Sequence, residues 1–504
     1  MFIRRNKNRS GSYSIQIIQK VGRRNRVIKT LGSSSNSEEL ERLERLASQE
    51  IRRLEKQKPL FQSGTDELVK RTLASISNQQ VRVIGPDLIL GKIFSRVGYD
   101  QIEDDAYFRH LVIARVMSPG SKLRTSDYLW RYHSIELPVD RIYRYMDKLQ
   151  NKYKEPLQRL TFEYSKRTLG QQLNVVFYDM TTLYFEASEE DDLRRTGFSK
   201  DGKAQHPQIK LGFLVGQDGF PLGYDIFHGN TFEGETMLPV LAQIEAKFNL
   251  GKPVVVADAG LLSRQNMEGL EQAGYPFILG GRVRSESEAM KQKIQKATIP
   301  EGKPTEFKKG NYRLIVSYSS QRAKKDAHNR KRGLSRLENK VKSKNLTKKN
   351  LNNRGYNKYL VLKGKATIEI DYEKFKMDEQ WDGLKSYMTN TKLSRNQVIA
   401  SYGELWHIEK AFKISKTDLR ARPIFHRIER RIEAHITICF AAYAMFKELE
   451  RALKASKATF SANRAIDLIR NMYQITVQLP ESLDWVEIPL RNDDEQQRLI
   501  EIFA

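Results

Sequence analysis

Three acidic side chains, Asp179, Asp258 and Glu409, are the residues whose surroundings suit holding divalent cations. Asp179 lies in NVVFYDMTTLYFE, where nearly every neighbour is apolar or aromatic. An ionised carboxylate there costs several kcal/mol unless a cation or hydrogen bonds compensate it. Asp258 ends the apolar run VVVAD, where a strand hands over to a loop, and ligands bind at that end of strands in open α/β sheets. Glu409 lies in SYGELWHIEKAFKISK, with Leu405, Ile408 and Phe412 at the spacing of a helix packed on one face. Tyr402, Glu409 and Lys416 are seven apart and fall nearly in line on that helix, which puts Glu409 half covered on the shoulder of the buried stripe. Each acid also has a plainer reading. A strand Asp pairs with Arg or backbone amides, and Glu409 pairs with Lys413 across one turn. As a set they are hard oxygen ligands, and Mg2+ suits them because it keeps several waters and takes ligands from substrate phosphates; Mn2+ is the alternative ion. Two ions about 3.5–4 Å apart activate an attacking oxygen and stabilise a leaving one in an in-line displacement.

The elements that must position these acids begin at residue 174, where the period changes. NVVFYDMTTLYFE is expected to be a strand. IKLGFLVGQ and FPLGYDIFHGN follow as a hairpin around Asp218-Gly219. Then come a helix (GETMLPVLAQIEAKFNL), a buried strand (VVVADAG), a helix (LSRQNMEGLEQAG) and a last strand (PFILGGRV). That order is the RNase H-like arrangement, in which the strand after the first helix lies parallel to the first strand. With those two strands adjacent, Asp179 and Asp258 come within reach of each other. The expected fold class is α/β: an RNase H-like core over 171–284, a basic β-rich insertion over 285–396, and a resumed core over 397–455 with the Glu409 helix.

The flanking regions are expected to be mostly helical. Residues 1–58 read as a basic unit of two strands joined around Gly22, followed by a highly charged, solvated helix. A linker is expected at 59–80. Residues 81–170 form short helices compatible with a helix-turn-helix DNA reader or an ordinary bundle, and 456–504 form a helical tail. Residues 322–365 hold sixteen Lys/Arg against two acids, which reads as a solvated mobile arm or a phosphate-tracking segment. In the long helix RIERRIEAHITICFAAYAMFKELERALK, His435 and Cys439 are expected to pack in the core, being too few for a zinc site. Trp381 and Trp406 are expected in the core, and His206, His228 and His407 show no metal-ligand spacing.

Across 504 residues, 87 Lys and Arg against 61 Asp and Glu leave a formal net charge of +26. Such an excess implies a polyanionic partner, with nucleic acid first and anionic membrane second. The single cysteine, Cys439, excludes a disulfide framework and fits a reducing compartment. The N-terminus lacks the apolar segment of a signal peptide, and ITICFAAYAMF is too short to span a bilayer. A cytoplasmic protein is expected.

YDMTTLYFE, IKLGFLVGQDGFPLGYDIFHGNTFEGETM, VVVADAGLLS and YGELWHIEKAFKISKTDLRARPIFH, in that order and spacing, resemble the DDE transposases of bacterial insertion sequences. The likeness covers roughly 80–450 and is to the cut-and-paste group with a β-rich insertion between the second Asp and the Glu. It implies Asp179, Asp258 and Glu409 as a Mg2+-binding catalytic triad. It also implies Tyr402 and Lys416 as contacts to DNA phosphates, with Lys410 and Lys413 nearby because Leu405 stands where the group often has Arg. The implied activity is binding of terminal inverted repeats, metal-dependent cleavage and strand transfer into target DNA. The implied partners are double-stranded DNA and a second copy of the chain, in a bacterial cytoplasm. A metal-dependent nuclease without strand transfer, and a basic DNA-binding repressor with an inactive core, remain the rival readings.

Overall fold

The computed structural model describes the chain except at 9–10, 23, 55–63, 103–104, 171–172, 187–188, 198–204, 344–345, 347–350, 353–354, 364–366 and 480–481. It divides into two compact units, Met1–Gln80 with Thr476–Ile488, and Val81–Ile475 with Pro489–Ala504.

In the first unit β1 (Phe2–Lys7), β2 (Tyr13–Val21) and β3 (Arg24–Ser34) form an antiparallel meander. Two of these strands were expected; the third, FIRRNK, is hidden in the sequence because four of its six side chains are polar and five are exposed. The charged helix α1 (Ser37–Leu54) is not simply solvated. Leu40 and Ala47 are buried against Ile15 and Ile17, with Leu43 and Ile51 alongside. Those four recur at helical spacing, a narrow stripe that the charge count concealed. The described part of the expected linker contains a helix, α2 (Gly64–Ala74), while 59–63 lie outside the described residues.

The second unit begins with β4 (Val81–Val83) and five helices, α3 (Gly91–Val97), α4 (Asp105–Met117), α5 (Lys122–His133), α6 (Val139–Lys148) and α7 (Lys154–Thr168). The expected alternation follows: β5 (Val175–Tyr184), β6 (Gln208–Val215), β7 (Pro221–His228), α8 (Met237–Phe248), β8 (Val254–Ala257), α9 (Arg264–Gln272) and β9 (Phe277–Gly280). The β6–β7 turn, closed by Gly216 N donating to Phe220 O at 2.8 Å, has positive φ at both Asp218 (56°) and Gly219 (77°), the left-handed backbone that Asp-Gly accommodates in a tight hairpin loop. Next come α10 (Glu288–Lys296), β10 (Thr305–Lys309), β11 (Tyr312–Tyr318), α11 (Ser320–Lys342), β12 (Leu360–Lys363), β13 (Thr367–Ile370), α12 (Tyr372–Met377) and β14 (Leu384–Thr389). The described part of the basic stretch is thus largely α11, a 23-residue helix with Arg330, Gly333 and Leu337 buried, rather than a loose arm.

One eight-stranded sheet runs in the order β10-β11-β14-β9-β8-β5-β6-β7. Strands β5, β8 and β9 are mutually parallel, and β5–β6–β7 are antiparallel. Alternate residues of each strand feed opposite cores, as the two-residue period of a strand requires. Val176, Tyr178 and Val255 pack with Val240 and Ile244 of α8. Phe177, Phe213 and Val256 pack on the other face with the early helices and with the helices that close the unit.

Those closing helices are α13 (Arg395–Gly403), α14 (Trp406–Lys413), α15 (Glu429–Ala455) and α16 (Ala462–Arg470). The single helix expected through Tyr402 and Glu409 is interrupted. At Glu404 and Leu405 the amides bond three residues back, Glu404 N to Ser401 O at 3.3 Å and Leu405 N to Tyr402 O at 3.1 Å, a tighter winding that shifts the phase between the two halves. The long helix α15 is as expected, with His435 Nε2 3.1 Å from Ala421 O and 3.7 Å from Cys439 Sγ inside the core. The tail is richer than the one helix anticipated: β15 (Tyr473–Gln478), β16 (Trp485–Pro489) and α17 (Asp494–Ile502) follow α16. Strand β15 pairs with β4 through Tyr473–Ile475.

The docking of α1 gives a first test. Leu40→Ala is expected to cost the first unit about 2–4 kcal/mol. In calorimetry or limited proteolysis the transition of 1–80 should move down while that of the second unit stays in place. A helix that contributes only solvation would leave both transitions unchanged.

Candidate metal centre

Strand pairing sets the site. Val175 to Tyr178 of β5 pair in register with Val254 to Ala257 of β8. One further step in that register brings Asp179 level with Asp258, at the C-terminal end of β8. Because β7 runs parallel to β5, the loop leaving β7 emerges at the same edge, and it carries Glu233. Carboxylate oxygens of Asp179, Glu233 and Asp258 all lie within 4.8 Å of one another, and each residue is partly buried. This is the one such group among the described residues.

Each acid is held by its own local structure. Asp258 Oδ1 accepts the Gly260 amide at 2.7 Å, and Arg282 donates to Gly260 O at 3.2 Å, fixing the turn that follows β8. Asp179 Oδ1 accepts the amide of Met180 at 2.7 Å. The Glu233 loop is pinned at two points. Thr236 Oγ1 donates to Glu233 O at 2.8 Å, and the buried Lys210 ammonium donates to Thr231 O. Gly260 supplies the room: a β-carbon there would lie 2.8 Å from Asp258 Oδ1 and 3.5 Å from Glu233 Oε1.

Glu409 lies outside the 4.8 Å group and is exposed rather than half covered. Among the described residues it forms no ion pair, with Lys413 or any other. Its helix nevertheless lies on the sheet face that carries Phe177, with Phe213–Phe412 ring centroids 5.9 Å apart and Phe177–His407 6.0 Å. Asp179, two residues after Phe177, points to that same face. Tyr402 links the two sides. Burial raises its pKa, and the charges of Asp258, Glu409 and Asp179 all raise it further, so the phenol stays protonated and able to donate. Its hydroxyl packs close to Gly280, where a β-carbon would meet it at 2.5 Å and the Ala259 amide at 2.7 Å.

The other expected contacts are divided. Lys410 Nζ bonds Glu450 Oε1 at 2.7 Å, and Glu450 also receives Lys447 at 2.6 Å. Lys413 is exposed, and Lys416 Nζ lies 5.8 Å from the Phe412 ring centroid. Leu405 is a core residue at 8% exposure. Trp381 is buried as expected, but Trp406 is half exposed, its ring tilted against that of His407 with centroids 4.0 Å apart, because the tightened turn at 404–405 rotates it out of the core.

Three carboxylates are a donor set for a hard divalent cation. An octahedral Mg2+ with oxygens at about 2.1 Å separates its ligand pairs by about 3.0 Å cis and 4.2 Å trans. At most one of the three pairs can be trans, so the remaining pairs need to close by up to roughly 1.8 Å, a movement that side-chain rotation supplies, and three carboxylates are a donor set that fits such an ion. Glu233 is the residue that sequence reasoning missed. Its signal was the direction of β7: a third strand parallel to the first delivers the following loop to the edge that holds Asp179 and Asp258. Nothing in the sequence separates Glu233 from Glu235 two residues later, and only the first belongs to the group.

The family described as the transposase DDE domain matches residues 170–445, more than half of the chain. Among curated proteins none matches the sequence. Among solved structures, a chain in the cryo-EM structure of the piggyBac transposase synaptic complex with hairpin DNA is similar at 9% identity, over 76% of each chain, with a TM-score of 0.39. No helix among the described residues is long and apolar enough to cross a membrane.

The close fit around Gly260 yields a direct test. Gly260→Ala presses a methyl group onto the Asp258 carboxylate and is expected to weaken Mn2+ binding about 10–100-fold, read by titration calorimetry. The circular dichroism spectrum should be unchanged. Equal affinity in the variant would separate Asp258 from ion binding.

Proposed function

The chain belongs to the DDE transposase family, and from that membership we propose that it cuts and rejoins DNA at the ends of its own mobile element. The observation that carries this reading is the convergence of Asp179, Glu233 and Asp258 on one edge of the large sheet, within 4.8 Å. The strand order β7-β6-β5-β8-β9 supports an RNase H-like core over 171–284. Strands β10, β11 and β14 with α11 then form the insertion over 285–396, and the core resumes over 397–455. On this reading the helices of 81–170 hold the terminal repeats.

A bound divalent cation, Mg2+ or Mn2+, supplies Lewis-acid activation of the attacking oxygen and neutralises charge on the leaving one. Asp179, Glu233 and Asp258 hold it. Glu409 is a further ligand, brought in from α14 with the DNA, which agrees with its freedom from ion pairs among the described residues. Tyr402 keeps its proton and donates it in a hydrogen bond to a phosphate oxygen. Lys413 and Lys416 contact the backbone beyond, and Lys410 does so by exchanging Glu450 for phosphate. The first displacement hydrolyses a phosphodiester to a free 3′-hydroxyl, and the second drives that hydroxyl into a target phosphate. The net charge of +26 gathers double-stranded DNA non-specifically. Paired, symmetric ends suit a homodimer in the DNA complex, acting in a bacterial cytoplasm.

Incubation of the protein with pre-cut end DNA, plasmid and Mg2+ should give joined products. Hydrolysis without joining would mark a nuclease, and binding without cleavage a repressor. Asp179→Ala, Asp258→Ala, Glu233→Gln and Glu409→Gln are each expected to lower cleavage by at least about 10²-fold, with DNA affinity in EDTA retained. Parental cleavage by Glu233→Gln would remove that residue from the ligand set.

A further inference from the structure

If the acid cluster performs phosphoryl transfer, as proposed above, the strand whose phosphate rests on it must leave the site on some side and meet cations there. Strand β14 supplies the first. Lys385 Nζ stands 4.4 Å from the Tyr402 ring centroid and 5.5 Å from that of Tyr387, and those two rings pack edge to face at 5.0 Å. Tyr402 is the residue on which the charges of Asp258, Asp179 and Glu409 all bear. Lys385 makes no ion pair among the described residues, and the charges that act on it are Arg322 and Glu409. A half-buried ammonium without a carboxylate partner is poorly compensated, and an anion in front of it would correct that.

Arg322 belongs to the first turn of α11, so the same line of positive charge continues along that helix. At 23 residues it is about 35 Å long, close to one turn of B-form DNA. Its inward edge is Arg330, Gly333 and Leu337. Its two acids are engaged: Asp326, on the inward side, accepts the Gly383 amide at 3.2 Å and pairs with Arg322 at 3.5 Å, and Glu338 accepts the Tyr372 hydroxyl at 3.1 Å. The solvent face presents Lys325, Lys331, Arg332, Arg336, Lys340 and Lys342, all exposed. None of these six forms an ion pair among the described residues. A mixed-sign surface would be the ordinary solvated helix; a face of one sign, without counter-charge and continuous with Lys385, fits a polyanion.

We propose that Lys385 is a positioning residue for the phosphate beside the one that is cut, and that the solvent face of α11 carries the backbone of the flanking duplex away from the site. The occupant is double-stranded DNA read through its phosphates rather than its bases, so this surface is indifferent to sequence.

Binding of the full chain to a labelled duplex of unrelated sequence, in EDTA, tests the α11 face without relying on catalysis. The variant Lys331→Ala/Arg332→Ala/Arg336→Ala should flatten the plot of log Kd against log salt by about 0.9 for each phosphate it no longer neutralises. Lys293→Ala/Lys296→Ala on α10, also exposed cations, should not. An unchanged slope in the triple variant, or an equal change in the α10 control, overturns the proposal. Cysteine capture covers the case of a misfolded triple variant, because Cys439 is the only native thiol and is buried. Arg336→Cys should displace the small thiol from a duplex carrying a phosphate-tethered mixed disulfide, by thiol–disulfide exchange, and Lys293→Cys should not; capture at neither, or at both alike, also overturns it. For Lys385, Lys385→Arg should keep end cleavage while Lys385→Met loses about 10²-fold at unchanged affinity. Parental cleavage by Lys385→Met, or an equal loss in Lys385→Arg, removes it from this role. Failure of the acid-cluster reading is seen separately, as absence of metal-dependent cleavage by the parent protein.

Discussion

The structure depends on the parallel pairing of β5 with β8. That pairing places two aspartates at the same level of one sheet edge, and the strand directions it fixes bring the loop after β7 to the same edge. Three carboxylates so close repel one another. At an effective dielectric of about 20, two unit charges 4.8 Å apart cost roughly 3–4 kcal/mol, an upper figure for groups that are partly exposed. The scaffold must therefore be strong where the site is unfavourable, and the sheet around the site is fully covered on both faces. Alternate residues of β5, β6, β8 and β9 are buried in two separate cores. A divalent cation turns the same repulsion into binding energy.

The second organising feature is the separation of acid from base. The carboxylates are confined to one strand edge, while the basic excess is spread along α11, α14 and the first unit. Within α14 part of that excess is already neutralised, since Glu450 receives both Lys410 and Lys447. On α11 it is not. A polyanion approaching this surface therefore finds the most uncompensated charge on the insertion side of the acids. Lys385 stands against the rings of Tyr387 and Tyr402 and forms no ion pair among the described residues.

How much of this was legible depended on whether the signal was local. The alternation from Val175 to Gly280 could be read element by element, because each strand and helix there has its own period and Asp218-Gly219 marks its own turn. Asp179 and Asp258 could be picked out because each is an acid in an apolar run, a contrast visible within a few residues. Glu233 could not, since nothing beside it is anomalous; only the direction of β7 selects it. The kink at Glu404 and Leu405 was equally hidden, because both residues keep right-handed backbone angles and only the shift to three-residue hydrogen bonds reveals it. That kink turns Trp406 outward and leaves Glu409 exposed, so one unseen change of winding accounts for both differences.

Charge counting misled twice in the same way. Residues 37–54 and 322–365 are so rich in charge that an exposed helix and a loose arm were the natural readings, yet the helix in each has a narrow apolar or small-residue edge that docks it. For α1 the edge is Leu40, Leu43, Ala47 and Ile51. For α11 it is Gly333 and Leu337, with Gly333 so close to the Tyr356 ring that a β-carbon would meet it at 2.3 Å. A helix needs only a stripe of about three residues in seven to be held in place. The rest of its surface is then free to carry a single sign of charge, and a rigid helix presents that charge to a ligand at lower entropic cost than a flexible arm of the same composition.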